Sequence, residues 1–472
     1  MFKHSLCLCL LLSFLLTACT WQSAPTLLIP LDSRPCNAEE VALLARAADQ
    51  DLRIPDLGLD DLTTPADTDY LWQWLEDQAG DRQNIIIYTN MLLNGGLMAS
   101  RDPDSYALAP FLDRLDRFIA DHETAKITLV TVIPRSLPAR QDEVLAPYSK
   151  ALLSWGANCD RADQRGEPAP DPPATLPRHV ASRYEGLFNQ TERLIEALQD
   201  RQAAGQIDRY LVALDDNTPY CLPRRVLRHT HLDSPINGAD EIAAMLMAEG
   251  QEQIPLAIHY TDPAISHRVP QYEGQSLDKT VREKAAFLNF TLDPKADCHL
   301  VIHNALQNPT ALKNLVERLG DDPYVIADVA KANGGDPSIW PLVSDLPENA
   351  INYSGWNTSA NAIGTALAAL RIEETGGAQA DLASYRRLRL SVDQVYLAQL
   401  APGLKKSWRT RGLINAYDEI ADDGAKQTCE EELNQAFANY AEAVGAPAGS
   451  RLYFPWNRVF EVGYREEAPD KQ

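Results

Sequence analysis

Asp215 and Asp216 are adjacent carboxylates at the end of an apolar run, Tyr210–Leu214, and Asn217-Thr218-Pro219 follows them. An apolar run ending in polar and proline residues reads as a buried parallel strand that delivers its last residues to a loop. Two acids at that place are costly to desolvate unless they are paired or used, and active sites accept such costs. The chemistry they suit is general acid–base work, and the apolar strand behind the pair would help raise an acid's pKa toward its working range. The same residue types also cap helices and form surface turns, so the pair alone leaves a structural role open.

The pair is not isolated, because seven other apolar runs end in the same way. Leu27–Leu31 leads to Asp32-Ser33-Arg34, Asn84–Tyr88 to Thr89-Asn90 with Gly95-Gly96 and Arg101 beyond, and Ile127–Ile133 to Pro134-Arg135. Ile254–Ile258 ends in His259, His299–Ile302 in His303, and Tyr324–Ala327 in Asp328 with Asp336 beyond it. The last, Ile351–Ser354, leads to Gly355-Trp356-Asn357. With Asp215 and Asp216 as the catalytic pair, these ends supply the candidate substrate contacts: Asp32, Arg34, Asn90, Arg101, Asn217, His259, His303, Asp328, Asp336, Trp356 and Asn357. Trp356 offers a flat apolar surface to a bound ligand. Asp32 and Arg34 serve equally well as a structural ion pair. Asn357 and Asn361, four apart on one helix face, fit a cap and an interior amide as well as partners for hydroxyl groups.

Helical patterns separate the strands. Ala38–Gln50 repeats apolar residues at helical spacing, Ile242–Ala248 follows the acids Asp240-Glu241, and Ser359–Ile372 is rich in Ala and Leu. Alternating strands and helices imply an α/β fold with a parallel sheet and helical crossovers. Eight strands fit a (β/α)₈ barrel-like domain over residues 20–380, with the site where strand C-termini meet; an open doubly wound sheet is the alternative. Trp155–Pro177 reads as a Pro- and Asp-rich surface insertion. Residues 381–472 read as a mostly helical region closed by Arg451–Tyr464, a strand pair or packing tail.

Residues 1–19 carry a short basic start, an apolar run and the ending Leu16-Thr17-Ala18-Cys19, which is the pattern of a signal peptide. The ending resembles the bacterial lipobox, which implies acylation of Cys19 and a lipid anchor, and Thr20 after it favours the outer membrane. The formal charge of −23 argues against nucleic acid or an anionic membrane surface as a partner. Beyond Cys19 come five widely spread cysteines, which form neither a disulfide framework nor a zinc motif.

IPLDSRPCN, NGGLMASR, ALDDNTPY, NGADE, DVAKANGGD, GWNTSANAIGTALA and FPWNRVFEV resemble the recurring stretches of a bacterial family known as a domain of unknown function. The resemblance runs from about Leu27 to Val462 and implies no activity. Over the shorter stretch Leu214-Asp215-Asp216-Asn217 the chain is similar to O-GlcNAcase-type hexosaminidases, (β/α)₈ enzymes with an Asp pair after strand four. That resemblance implies a substrate-assisted reaction in which Asp215 orients the substrate's acetamido group and Asp216 is the acid and then the base, an exception to two-carboxylate glycosidase geometry.

His259, His303 and Asp328 also resemble an amidohydrolase metal set, but that layout needs His-x-His after the first strand, where this chain has Leu31-Asp32-Ser33. His229-Thr230-His231 reads as a solvated loop pair, and neither a phosphate loop nor a Gly-x-Ser-x-Gly elbow is present. The expectation is an envelope-facing hydrolase of N-acetylhexosamine-containing glycans that needs no cofactor. A metal-dependent hydrolase and a glycan-binding lipoprotein without catalysis are the alternatives.

Overall fold

The computed structural model describes residues 24–466 except 57, 59, 233 and 234. The proposed acylation site, Cys19, lies outside the described residues. The first half of the chain supplies β1 (Thr26–Ile29), β2 (Leu52–Arg53), β3 (Asn84–Tyr88), β4 (Lys126–Ile133), β5 (Arg209–Leu214) and β6 (Ile236–Asn237). The second supplies β7 (Ile254–Tyr260), β8 (Phe290–Leu292), β9 (His299–His303), β10 (Tyr324–Asp328) and β11 (Ala350–Ser354). Each expected strand is present, and β2, β6 and β8 are short additions.

The α/β class with parallel pairing holds, and it takes the open, doubly wound form. The strands form one sheet of six, ordered β2-β1-β3-β4-β5-β6, and one of five, ordered β11-β10-β9-β7-β8. No ladder joins the two sheets among the described residues. Read from its first strand, each sheet has the same order: the second strand flanks the first on one side, and the third, fourth and fifth follow on the other. In this order the crevice lies outside the strand C-termini, where the winding direction reverses. The chain is thus two doubly wound units of like topology without the internal sequence repeat that would announce them.

Alternation along the strands builds the core. Leu27, Ile29, Ile85 and Ile87 pack on one face of the six-stranded sheet, while Leu28, Ile86 and Tyr88 pack on the other, as a period of two requires. The helices Glu39–Ala47 and Ile242–Ala248 lie between the sheets. Val41, Ala45, Ile242 and Leu246 join the core of the first sheet; Leu43, Leu44, Ala244 and Met245 join that of the second. Every residue of Ile242–Ala248 is buried, which is why this helix is apolar all round.

The expected insertion at 155–177 needs correction. Trp155 and Cys159 are buried on the helix Ser149–Gln164 at helical spacing with Leu152, so irregular chain begins only at Arg165. The C-terminal region is mostly helical as expected: Gln379–Arg389, a π-helical stretch Leu390–Leu400, Ala401–Thr410 and Asp423–Ala441. It closes in the antiparallel pair β12 (Arg451–Tyr453) and β13 (Gly463–Arg465), whose connecting loop reaches the C-terminal edge of the first sheet. No helix among the described residues is long and apolar enough to cross a membrane, and the cysteines from Cys36 to Cys429 are free and buried.

Candidate active site

A cleft of about 530 Å³ opens over the C-terminal ends of the six-stranded sheet. The loops after β1, β3, β4 and β5 contribute Asp32 and Arg34, Arg101, Arg135, and Asp215 to Asn217. Asp240 follows β6, Asn333 and Asn357 come from the loops after β10 and β11, and Trp456 and Arg458 come from the β12–β13 loop. The site therefore draws on both units and on the closing hairpin.

At its floor lies the carboxylate pair. Arg101 Nη2 donates to Asp215 Oδ2 at 2.7 Å, and the Asp216 backbone N–H donates to Asp215 Oδ1 at 2.8 Å. Asp216 has a single longer bond from Arg135 Nη1, at 3.3 Å, and keeps more of its side chain open to the cleft than Asp215. The two acids are driven apart. Burial pushes Asp215 up, but the guanidiniums of Arg101 and Arg135 outweigh it and hold its carboxyl below the ordinary value. Burial and then the charge of Asp215 raise Asp216 to about 6, against the pull of the two arginines. Burial and the nearby Arg101 bring Arg135 down to about 10.

One wall is a buried ion-pair network. Arg34 Nε donates to Asp32 Oδ2 at 2.9 Å, and Arg34 Nη2 donates to Asp240 Oδ1 at 2.5 Å. Asn37 Nδ2 donates to Asp32 Oδ1 at 2.8 Å, and Asn357 Nδ2 to Asp240 Oδ2 at 3.1 Å. Trp456 closes the wall, with its Nε1 donating to Ser33 Oγ at 3.2 Å and its ring centroid 5.6 Å from the Arg34 guanidinium carbon. Behind it, burial and the charge of Asp32 raise Asp60 to about 7.

Backbone strain gathers here as well. Tyr272, Asn333, Asn357 and Asp418 all line the cleft with positive φ, a conformation unfavourable to residues with side chains and common at functional sites. Asn333 N–H donates to Asn357 O at 2.7 Å, tying the two strained turns together. Gly355 N–H donates to the buried Asp393 Oδ2 at 2.7 Å, which pins the turn before Asn357 to the π-helical stretch.

The Asn237-Gly238-Ala239-Asp240-Glu241 stretch now has a physical reading. Gly238 has φ +92°, and a Cβ there would fall 2.7 Å from Ala360 Cβ and against Glu241 Oε1. Asp240 faces the cleft while Glu241 is buried against Lys284 and Asn361. Gly238→Ala should therefore lower stability by about 1–3 kcal/mol in urea unfolding. An unchanged midpoint would show that the turn can relax.

Of the residues singled out from sequence, Asp32, Arg34, Arg101, Asp215, Asp216, Asn217 and Asn357 line the cleft. Asn90 does not, since its amide is spent on the β4 backbone: Nδ2 donates to Val132 O and Oδ1 accepts from Val132 N–H, both at 2.8 Å. Nor does Trp356, buried 5.4 Å from the Phe460 ring; Trp456 lines the cleft instead. His259, His303, Asp328 and Asp336 belong to the five-stranded sheet. His259 stands 3.1 Å from His299, and His303 Nε2 stands 3.0 Å from Asp336 Oδ2. Asp328 Oδ2 accepts from the Tyr353 hydroxyl and from Asp336 N–H. They do not line the cleft with the Asp pair, because their side chains are spent on partners within the second unit, and no three His, Cys, Asp or Glu side chains gather as a metal set among the described residues. His229 also finds partners, with Nε2 3.0 Å from Asp163 Oδ1. Asp240, Asp60 and Trp456 escaped sequence reasoning as site residues, although the NGADE and FPWNRVFEV stretches contain two of them.

Residues 26–465 match the model of the family described as protein of unknown function (DUF4127). The chain belongs to that family. The match spans both sheets and the closing hairpin, so the cleft is assembled wholly from family sequence. No curated protein and no solved structure matches the chain.

Proposed function

We propose that the chain hydrolyses glycosidic bonds in N-acetylhexosamine-containing glycans by a substrate-assisted route. The observation that carries this reading is the split of the adjacent acids, Asp215 held ionised and Asp216 raised to about 6. Protonated Asp216 gives its proton to the glycosidic oxygen as the C1–O bond breaks. The substrate's own acetamido oxygen attacks C1 and closes an oxazolinium ring, whose N–H the Asp215 carboxylate accepts. Carboxylate Asp216 then takes a proton from a water that opens the ring at C1, which restores the acetamide and regenerates the acid. Arg101 fixes Asp215 for this task, and burial supplies the weak solvation that keeps Asp216 protonated. The signal-like residues 1–19 support a lipid-anchored protein of the cell envelope, where cell-wall or environmental glycans would be met.

The reading fixes a pH dependence. Proton donation needs Asp216 neutral, so kcat/KM should fall as pH rises through about 6, while Asp215 keeps its charge to below the ordinary carboxylate value. Arg135 lowers the Asp216 pKa, so Arg135→Met should move the alkaline limb to higher pH. The check is a pH–rate profile with an alkyl N-acetylhexosaminide in chelator, because its leaving group needs the proton. An alkaline limb that stays in place in Arg135→Met would detach it from Asp216, and no release from any N-acetylhexosaminide would end the glycosidase reading.

A further inference from the structure

Nine large apolar side chains are exposed among the described residues, and five of them line this one cleft: Leu137, Leu153, Tyr220, Tyr272 and Tyr417. They come from the loops after β4 and β5, from the helix Ser149–Gln164, from the segment before the helix Leu277–Phe287 and from the C-terminal region, so only the tertiary fold brings them together. Scattered exposed apolar residues need no explanation, whereas a cluster around a polar floor marks a binding surface. Two of the rings are also braced. The Arg161 guanidinium carbon lies 4.5 Å from the Tyr220 ring centroid, and that of Arg140 lies 3.8 Å from the Tyr417 ring centroid. Arg140 is in turn ion-paired to Glu419, which Gln141 also contacts at 3.4 Å, so Tyr417 is tied across the cleft mouth to the loop after β4.

From this collar, and resting on the glycosidase reading of the floor, we infer that the cleft mouth is an extension subsite for at least one further sugar ring. The substrate is therefore an oligosaccharide or longer glycan, not a single terminal sugar on an arbitrary partner. A pyranose has apolar C–H faces and a polar edge, which matches rings with hydroxyl tips standing above charged hydrogen-bonding groups. The cleft volume of about 530 Å³ is that of a site for a drug-sized ligand, larger than one ring needs. Braced rings lose little freedom on stacking, so the contact adds affinity without an ordering cost.

The test is calorimetric titration of Asp216→Asn protein with N-acetylglucosamine, its β-1,4-linked di- and trisaccharides, and octyl N-acetylglucosaminide. Affinity should rise about tenfold from one ring to two, and Tyr220→Ala or Tyr417→Ala in the same background should remove most of that rise. Both rings are exposed, so their truncation leaves the core intact. Equal affinity at every length, a rise matched by the octyl chain, or no binding of any probe overturns the inference. Wild-type turnover is read separately. Turnover without a gain on lengthening keeps the hydrolase and removes the subsite, while a gain on lengthening without turnover does the reverse.

Discussion

Asp216→Asn should lower turnover of an N-acetylhexosaminide with a poor leaving group by at least about 100-fold, the lower end of what a positioned general acid contributes. An alkyl glycoside leaves as an alkoxide unless a proton arrives, whereas nitrophenolate leaves without much help. The loss should therefore be much smaller for the nitrophenyl substrate, and that ratio separates a missing acid from general damage. Stability gives a second control. The fold raises Asp216 to about 6, so its ionised form is disfavoured, and stability is lost as pH rises from the ordinary carboxylate value through about 6. Asparagine has no such cost, and the thermal midpoint of Asp216→Asn at pH 7 should be no lower than that of the parent chain. Equal losses on both leaving groups, or a rate that does not change, would remove Asp216 from the acid role. Asp215→Asn should act differently, depressing both substrates alike, because a carboxylate that orients the acetamido group serves the attack regardless of how the leaving group departs.

How far the sequence reaches is clearest in the strands. Apolar runs such as Asn84–Tyr88 and Tyr324–Ala327 are buried on both sheet faces, so continuous hydrophobicity with a polar end located them. Their partners were another matter. Strand order depends on which edges pair, and the short β2 and β8, which set the winding direction in each sheet, hold two and three residues, too few for a strand pattern to mark them. Without them eight strands suit a barrel as well as two open sheets. That one ambiguity misplaced the histidines: around a closed barrel His259 and His303 would face Asp215, whereas in the second sheet they pair with His299 and Asp336. Asp215, Arg101 and Arg34 were legible because all three lie in segments that follow strands of the same sheet. Asn90 shows the limit of that rule, since a strand-end amide can be spent on the neighbouring backbone. Asp240 and Trp456 could not be placed from spacing, because they reach the site only through the loop after β6 and the closing hairpin.

Arg34→Met is expected to destabilise the chain by about 3–5 kcal/mol at pH 7, the cost of leaving buried charges without their partner. Burial opposes the charge on Arg34, but Asp240 and Asp32 outweigh it and hold the guanidinium firmly protonated. Asp32 is fully buried and Asp240 nearly so, and Arg34 is the cation ion-paired to both. Without it the two acids share a buried wall with Asp60, already raised to about 7 by burial and the charge of Asp32. Arg34 is one of the charges that hold Asp60 down, so its loss raises the folded pKa of Asp60 further above the unfolded one, and stability is lost above the ordinary carboxylate range and retained below it. The deficit in the urea midpoint should accordingly shrink from pH 7 toward pH 4, and Asp240→Asn in the Arg34→Met background should recover part of it. Methionine keeps an apolar stem beside Trp456, whose ring the guanidinium now faces at 5.6 Å. A deficit that is the same at both pH values would therefore assign the loss to packing on that ring, and the wall would owe its position to Trp456 instead of to the charges.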